Sequence, residues 1–166
     1  MYKLSRISKE KLSTVRKEMS MVVNLAISIT ETDFTVLEGH RDTERQFTLW
    51  QKRASKLNGA EKGSFINGYP GTGMSYHQLK AAVDLGAYID NRVSWDFGPY
   101  YDVARAMRTA SIELNIPIIW GAVWDQHLDD LSDSLEYEVA EYTNRRTKRG
   151  KKVFLDGPHF QLADLK

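Results

Sequence analysis

Apolar residues recur at helical spacing near the start of the chain. Val15, Met19, Val22, Val23, Ala26 and Ile27 line up between Ser13 and Ile29, with Arg16, Lys17 and Glu18 on the opposite side, which predicts an amphipathic helix. The short β-branched and aromatic run Phe34-Thr35-Val36-Leu37 predicts a strand, and Glu38-Gly39-His40-Arg41-Asp42 a turn out of it. Thr43 to Gln46 has capping-box spacing, so a second helix is expected from Thr43 through Phe47, Leu49, Trp50 and Ala54. Residues 58–73 hold five of the eleven glycines and read as a loop, and no Gly-Lys-Ser/Thr closes it into a phosphate cradle. Ala81 to Leu85 predicts a buried strand carrying one acid. Asp96-Phe97-Gly98-Pro99 is a helix-start signal before a periodic run through Leu114. Further strands are expected at Ile116–Trp120, Val153–Leu155 and His159–Leu162, and a charged amphipathic helix from Leu128 through Tyr142 that ends in Arg145–Gly150. Helices and strands mixed without regular βαβ alternation predict an α+β fold with a small, largely antiparallel sheet packed with helices.

Length and composition narrow this further. At 166 residues, 42% hydrophobic with 18 aromatics, the chain has core material for one domain spanning 1–166 and none of the signature of disorder. A net charge of +1 supplies no global field toward a polyanion, so neither nucleic acid nor an anionic membrane is an expected partner. No cysteine is present, which removes disulfides, thiolate zinc sites and a cysteine nucleophile together. Met1 to Arg6 leads into charged residues and no stretch reaches the length of a membrane span, so no membrane insertion and a cytoplasmic start are expected.

If a metal is bound, His, Asp and Glu must hold it. His77 precedes Asp84 by seven positions, with a turn before it and the Ala81–Leu85 strand after it, and His159 has Asp156 three residues ahead. Two imidazoles and a carboxylate form the ligand set of an open zinc site, and a second carboxylate nearby can take a proton from the attacking water. The same residues can equally be hydrogen-bonded structural groups, and composition alone leaves both readings open.

A resemblance separates them. Ser75-Tyr76-His77-Gln78-Leu79-Lys80-Ala81-Ala82-Val83-Asp84-Leu85 resembles the Ser-x-His-x-x-Gly-x-Ala-x-Asp-Leu segment of the zinc peptidases that include D-alanyl-D-alanine carboxypeptidases, D,D-dipeptidases and phage L-alanyl-D-glutamate endolysins. Asp156-Gly157-Pro158-His159-Phe160 is similar to the acid-x-x-His segment of that family. Glu38-Gly39-His40-Arg41 with Gln46 resembles its early Gly-x-Arg…Gln element, and Trp120 to Asp125 its Gly-rich Trp segment. The likeness covers about 150 residues in the family's order. It implies a Hedgehog/D-Ala-D-Ala-peptidase-like fold, one zinc ion on His77, Asp84 and His159, Asp156 as catalytic acid/base, Arg41 polarising the scissile carbonyl and Ser75 touching substrate. Two departures stand out: Lys80 replaces the usual Gly, and Asp156 replaces the Glu of some subfamilies, which points toward the endolysin branch.

The resemblance further implies a monomeric phage endolysin, made in the host cytoplasm and reaching its partner, bacterial peptidoglycan, once the membrane is opened. L-alanyl-D-glutamate cleavage is its first reading. D-alanyl-D-alanine carboxypeptidase activity, or a non-catalytic wall-binding module of the same fold, is the alternative. Outside the motifs, His40 reads as a polar turn residue. His127 lies at a helix start beside Asp125, Asp129 and Asp130, where acids are expected from the helix dipole and a second metal site is the alternative. Trp120 and Trp124 read as core or as flanks of the substrate, and the basic run Arg145 to Lys152 as an envelope contact or a solvated helix end. Residues 127–152 are expected to form a helical flap over the cleft.

Overall fold

The computed structural model describes residues 1–165. The chain runs α1 (Arg6–Leu12), α2 (Lys17–Ile29), β1 (Phe34–Glu38), α3 (Thr43–Gln51), β2 (Phe65–Ile66), β3 (Tyr69–Pro70), β4 (Ala82–Ile89), β5 (Arg92–Val93), α4 (Gly98–Leu114), β6 (Ile118–Trp120), a 3-10 turn (Leu128–Asp130), α5 (Leu135–Lys148) and β7 (His159–Leu162). The main sheet has the order β1-β4-β7-β6 with every pair antiparallel, and β5 extends β4 as a hairpin. This is the expected α+β architecture with a small antiparallel sheet.

The core lies between the sheet and its helices. Val22, Val23 and Ala26 of α2 meet Val103, Met107 and Ala110 of α4, and both helices close over Val83, Leu85, Phe160 and Trp120 from the strands. The β4 segment is apolar on both faces, as a central strand requires, apart from Asp84.

Several boundaries differ from expectation, each for an identifiable reason. The helix predicted from Ser13 starts at Lys17, because the Arg16 amide is drawn out to the Lys80 carbonyl at 2.8 Å. A separate short helix, α1, precedes it. Its polar sequence hides it from periodicity, yet Ser5 caps it and the buried Ser8 hydroxyl accepts the Val36 amide. The cap of α3 is Asp42, whose carboxylate accepts the Arg45 N–H at 2.7 Å, and Thr43 is the first helical residue. Leu128 starts a 3-10 turn that Leu131 ends, and α5 begins only after Ser134, whose hydroxyl caps it.

The strand expected at Val153–Leu155 does not form. Phe154 is 57% exposed, and its carbonyl accepts the Trp124 indole N–H at 3.1 Å instead of joining a ladder. The glycine-rich segment holds a two-residue hairpin turned by Asn67 and Gly68, both at positive φ, the conformation an Asn-Gly hairpin turn demands. Asn58 ties the base of this loop to Thr72 and Pro70.

Segment 127–152 is docked on the body. Leu135, Val139 and Tyr142 are buried, and the ion pairs Arg105–Glu136, Arg108–Asp133 and Arg145–Asp125 fasten it along its length. Opening it as a flap requires breaking all three.

Candidate metal centre and active site

The sheet register places the site. Asp84 on β4 faces Glu38 on β1 and His159 on β7 as direct cross-strand partners. Residues directly opposite one another project from the same face, so three neighbouring strands present a row of polar groups there. His77 enters from the turn before β4. That turn is held by a reciprocal pair: the Ser75 N–H donates to Gln78 Oε1 at 3.0 Å, and the Ser75 hydroxyl accepts the Gln78 N–H at 3.3 Å. Lys80 closes the turn in the left-handed region, φ 59°, with its N–H on the His77 carbonyl. Glycine adopts that conformation without penalty, which accounts for the family's Gly at this position.

His77, Asp84 and His159 converge, offering ligand atoms within 4.8 Å of one another. The outer nitrogens of both rings are taken. His77 Nδ1 lies 2.8 Å from the Gly39 carbonyl, and His159 Nε2 lies 3.0 Å from Gln161 Oε1. Both partners are acceptors, so in the neutral rings the hydrogens sit on these outer nitrogens and the lone pairs turn inward. His77 Nε2 and His159 Nδ1 then stand 3.2 and 3.1 Å from the same oxygen, Asp84 Oδ1. The Nε2 of His77 is buried without a hydrogen-bond partner among the described residues. Burial opposes ionisation of Asp84, but His159 and His77 beside it outweigh that and hold its carboxyl well below the usual range. Two inward lone pairs facing a carboxylate repel one another until a proton or a cation lies between them, and their chemistry fits a divalent metal with imidazole and oxygen ligands.

Asp156 lies on the loop before β7. Its N–H donates to the Gly121 carbonyl at 2.8 Å, and its carbonyl accepts the His159 N–H at 3.1 Å. Burial pushes its carboxyl up from the ordinary value against the pull of His159, and the Asp84 charge raises it further. Arg41 follows β1. Its Nε donates to Glu38 Oε2 at 3.1 Å and its Nη1 to Gln46 Oε1 at 2.9 Å, while Nη2 stands 3.7 Å from Asp84 Oδ2. It pairs with Glu38 and not with its sequence neighbours Asp42 and Glu44.

The other marked residues divide. Trp120 is fully buried with its indole N–H on the Gly157 carbonyl, whereas Trp124 stacks on His159 at 5.2 Å and on Phe154 at 6.0 Å. His40 is exposed, and His127 pairs at 3.8 Å with Asp130 and joins no three-ligand cluster among the described residues. Sequence reading gave no role in the site to Glu38, the Gly39 carbonyl, Gly121 or Gln161. Only the flanking of Arg41 and His159 by Glu38 and Gln161 hinted at two of them.

Known proteins resemble this chain over most of its length. The L-alanyl-D-glutamate peptidase of Escherichia phage T5 is 29% identical over 125 residues, covering 75% of this chain and 82% of that protein. The crystal structure of the Serratia marcescens L-Ala D-Glu endopeptidase ChiX superposes with a TM-score of 0.66 at 26% identity, over 97% of this chain and 90% of that one. The sequence profile of the phage L-alanyl-D-glutamate peptidases matches residues 1–163. With that match running nearly end to end, the chain belongs to the phage L-alanyl-D-glutamate peptidase family.

Proposed function

We propose that this chain is a zinc-dependent endopeptidase that cuts the L-alanyl-D-glutamate bond in the peptide stem of bacterial peptidoglycan. The observation that carries the reading is the convergence of His77 Nε2, His159 Nδ1 and Asp84 Oδ1, with the outer ring nitrogens already committed elsewhere. In this reading these three residues hold one zinc ion. A bound zinc supplies Lewis acidity, polarising an amide carbonyl and making water acidic enough to attack near neutral pH.

The protein's own groups do the rest. Asp156 accepts a proton from the attacking water on its carboxylate and returns it to the nitrogen of the leaving amine, a task suited to a carboxyl whose affinity for protons burial has raised. Arg41 keeps hydrogens on Nη1 and Nη2 beyond those given to Glu38 and Gln46, and offers them where negative charge develops on the carbonyl oxygen. Ser75 accepts the Gln78 N–H on one lone pair, which leaves its hydroxyl hydrogen and second lone pair for contact with substrate. Trp124, stacked on His159, forms an apolar wall beside the reacting bond.

The domain is one unit, acting as a monomer on the wall after synthesis in the host cytoplasm, with segment 127–152 as one side of the cleft. No described helix is long and apolar enough to cross a membrane. Mass spectrometry of purified peptidoglycan after digestion tests the specificity. New termini at L-Ala and D-Glu are expected. Loss of terminal D-Ala alone would make the chain a carboxypeptidase, and sedimentation with walls left uncut would make it a binding module.

A further inference from the structure

Glu38 and Asp84 are cross-strand partners beside a register shift after Val36, and the Arg41 guanidinium reaches both carboxylates. Like charges directly opposite one another repel. At 16% and 22% side-chain exposure neither is well screened by solvent. The Arg41 guanidinium lies between them. Its Nε and Nη2 both donate to Glu38 Oε2, whereas the approach of Nη2 to Asp84 Oδ2, at 3.7 Å, is too long for a hydrogen bond. One cation thus faces two carboxylates and is bonded to only one.

We propose that Glu38 is a positioning residue that holds Arg41 off Asp84, leaving the Asp84 oxygens to a metal and the outer Nη hydrogens of Arg41 to substrate. This rests on the reading of His77, Asp84 and His159 as the metal centre. Guanidinium and carboxylate form short, charge-assisted and often bidentate pairs. With the Glu38 charge removed, Asp84 is the nearest carboxylate, and a shift of under about 1 Å brings Nη2 into hydrogen-bond range. Gln46 cannot prevent this alone. It is buried and fixed by bonds to Ser55 Oγ and the Leu57 carbonyl, but it is neutral and engages only Nη1. Arg45 reinforces Glu38 from outside, its Nε 2.5 Å from Oε1, which leaves Oε2 to Arg41. A guanidinium bonded to Asp84 Oδ2 draws negative charge away from Oδ1, the oxygen that faces the two histidines, and so makes Asp84 a weaker metal ligand.

The test is zinc affinity, measured by competition with a chromophoric chelator on the wild-type chain, E38Q, E38D and the double variant E38Q/R41Q, with thermal unfolding of each zinc-free chain recorded alongside. E38Q should bind zinc about 10–100-fold more weakly, the usual effect of losing a group that orients a metal ligand. E38D, which keeps the charge, should stay close to wild type. E38Q/R41Q should regain most of the lost affinity, because no cation remains to claim Asp84. Unchanged affinity in E38Q overturns the proposal. An equal loss in E38Q and E38Q/R41Q also overturns it, marking a strand end that has merely loosened. A wild-type chain that takes up no zinc overturns the metal-centre reading and this inference with it.

Discussion

Replacing Gly121 by Ala probes how tightly the fold holds the corner that carries Asp156 and His159. Gly121 is bonded on both sides to that corner: its N–H donates to the His159 carbonyl and its carbonyl accepts the Asp156 N–H, each at 2.8 Å. A Cβ at this position would stand 2.4 Å from the Asp156 carbonyl oxygen and 3.0 Å from the Cβ atoms of Asp156 and His159, where ordinary contact begins at 3.4 Å. The obstacle is backbone, so the corner must move outward by about 1 Å. A misplacement of about 1 Å costs on the order of 10²-fold in rate. Overpacking of this kind also costs about 1–3 kcal/mol, roughly 2–4 °C of Tm per kcal/mol at this size. Gly121→Ala is therefore expected to lower kcat/KM on purified peptidoglycan about 100-fold and Tm by several degrees while the far-UV circular dichroism stays native. Gly98→Ala, where an added Cβ has nothing within 4 Å, serves as the control and should leave the rate unchanged. Wild-type turnover in Gly121→Ala would refute the claim that this corner carries catalytic groups.

Lys80→Gly should raise Tm, because Lys80 sits at φ 59°, and relief of the left-handed strain exceeds the added chain entropy by about 1 kcal/mol, or about 2–4 °C. A lower Tm would show that the Lys80 side chain contributes more than its backbone conformation costs. Asp156→Asn should keep the fold and the zinc content but lose about 10²–10⁴-fold in turnover, as removal of a general base does; near-normal wall lysis would move that role to another acid. The basic end of α5 is best tested at Lys148, Arg149, Lys151 and Lys152, which are exposed, since Arg145 is bonded to Asp125 and Arg146 to the Lys152 carbonyl. Changing these four to Gln should slow lysis of intact walls and flatten its salt dependence, with cleavage of soluble muropeptides unchanged. Equal rates and equal salt response would reduce the run to a solvated helix end.

The parts legible in the sequence were those fixed locally. Helix α4 carries its own start signal at Pro99 and a left-handed Asn115 at its end, and Asp84 and His159 lie in strands that the apolar pattern already marks. What escaped depends on partners distant in sequence. The start of α2 is set by a bond from Arg16 to Lys80, and the apolar run at Val153–Leu155 serves Trp124 instead of a sheet. The pairing of Glu38 with Asp84 exists only once β1 and β4 are in register, so no spacing could announce that two acids so far apart share one arginine. Ordered motifs gave the candidate ligands, and the carbonyls and amides that set their tautomers came from the fold alone.

The most direct measurement of the central claim is the zinc content of the purified wild-type chain and of His77→Ala, determined by atomic emission after gel filtration of both under the same conditions. His77 Nε2 is one of three inward donors, and a site that loses one of three protein ligands loses the geometry the other two share. The account predicts one zinc per wild-type chain and a largely metal-free but folded His77→Ala. Equal zinc in the two proteins would contradict it.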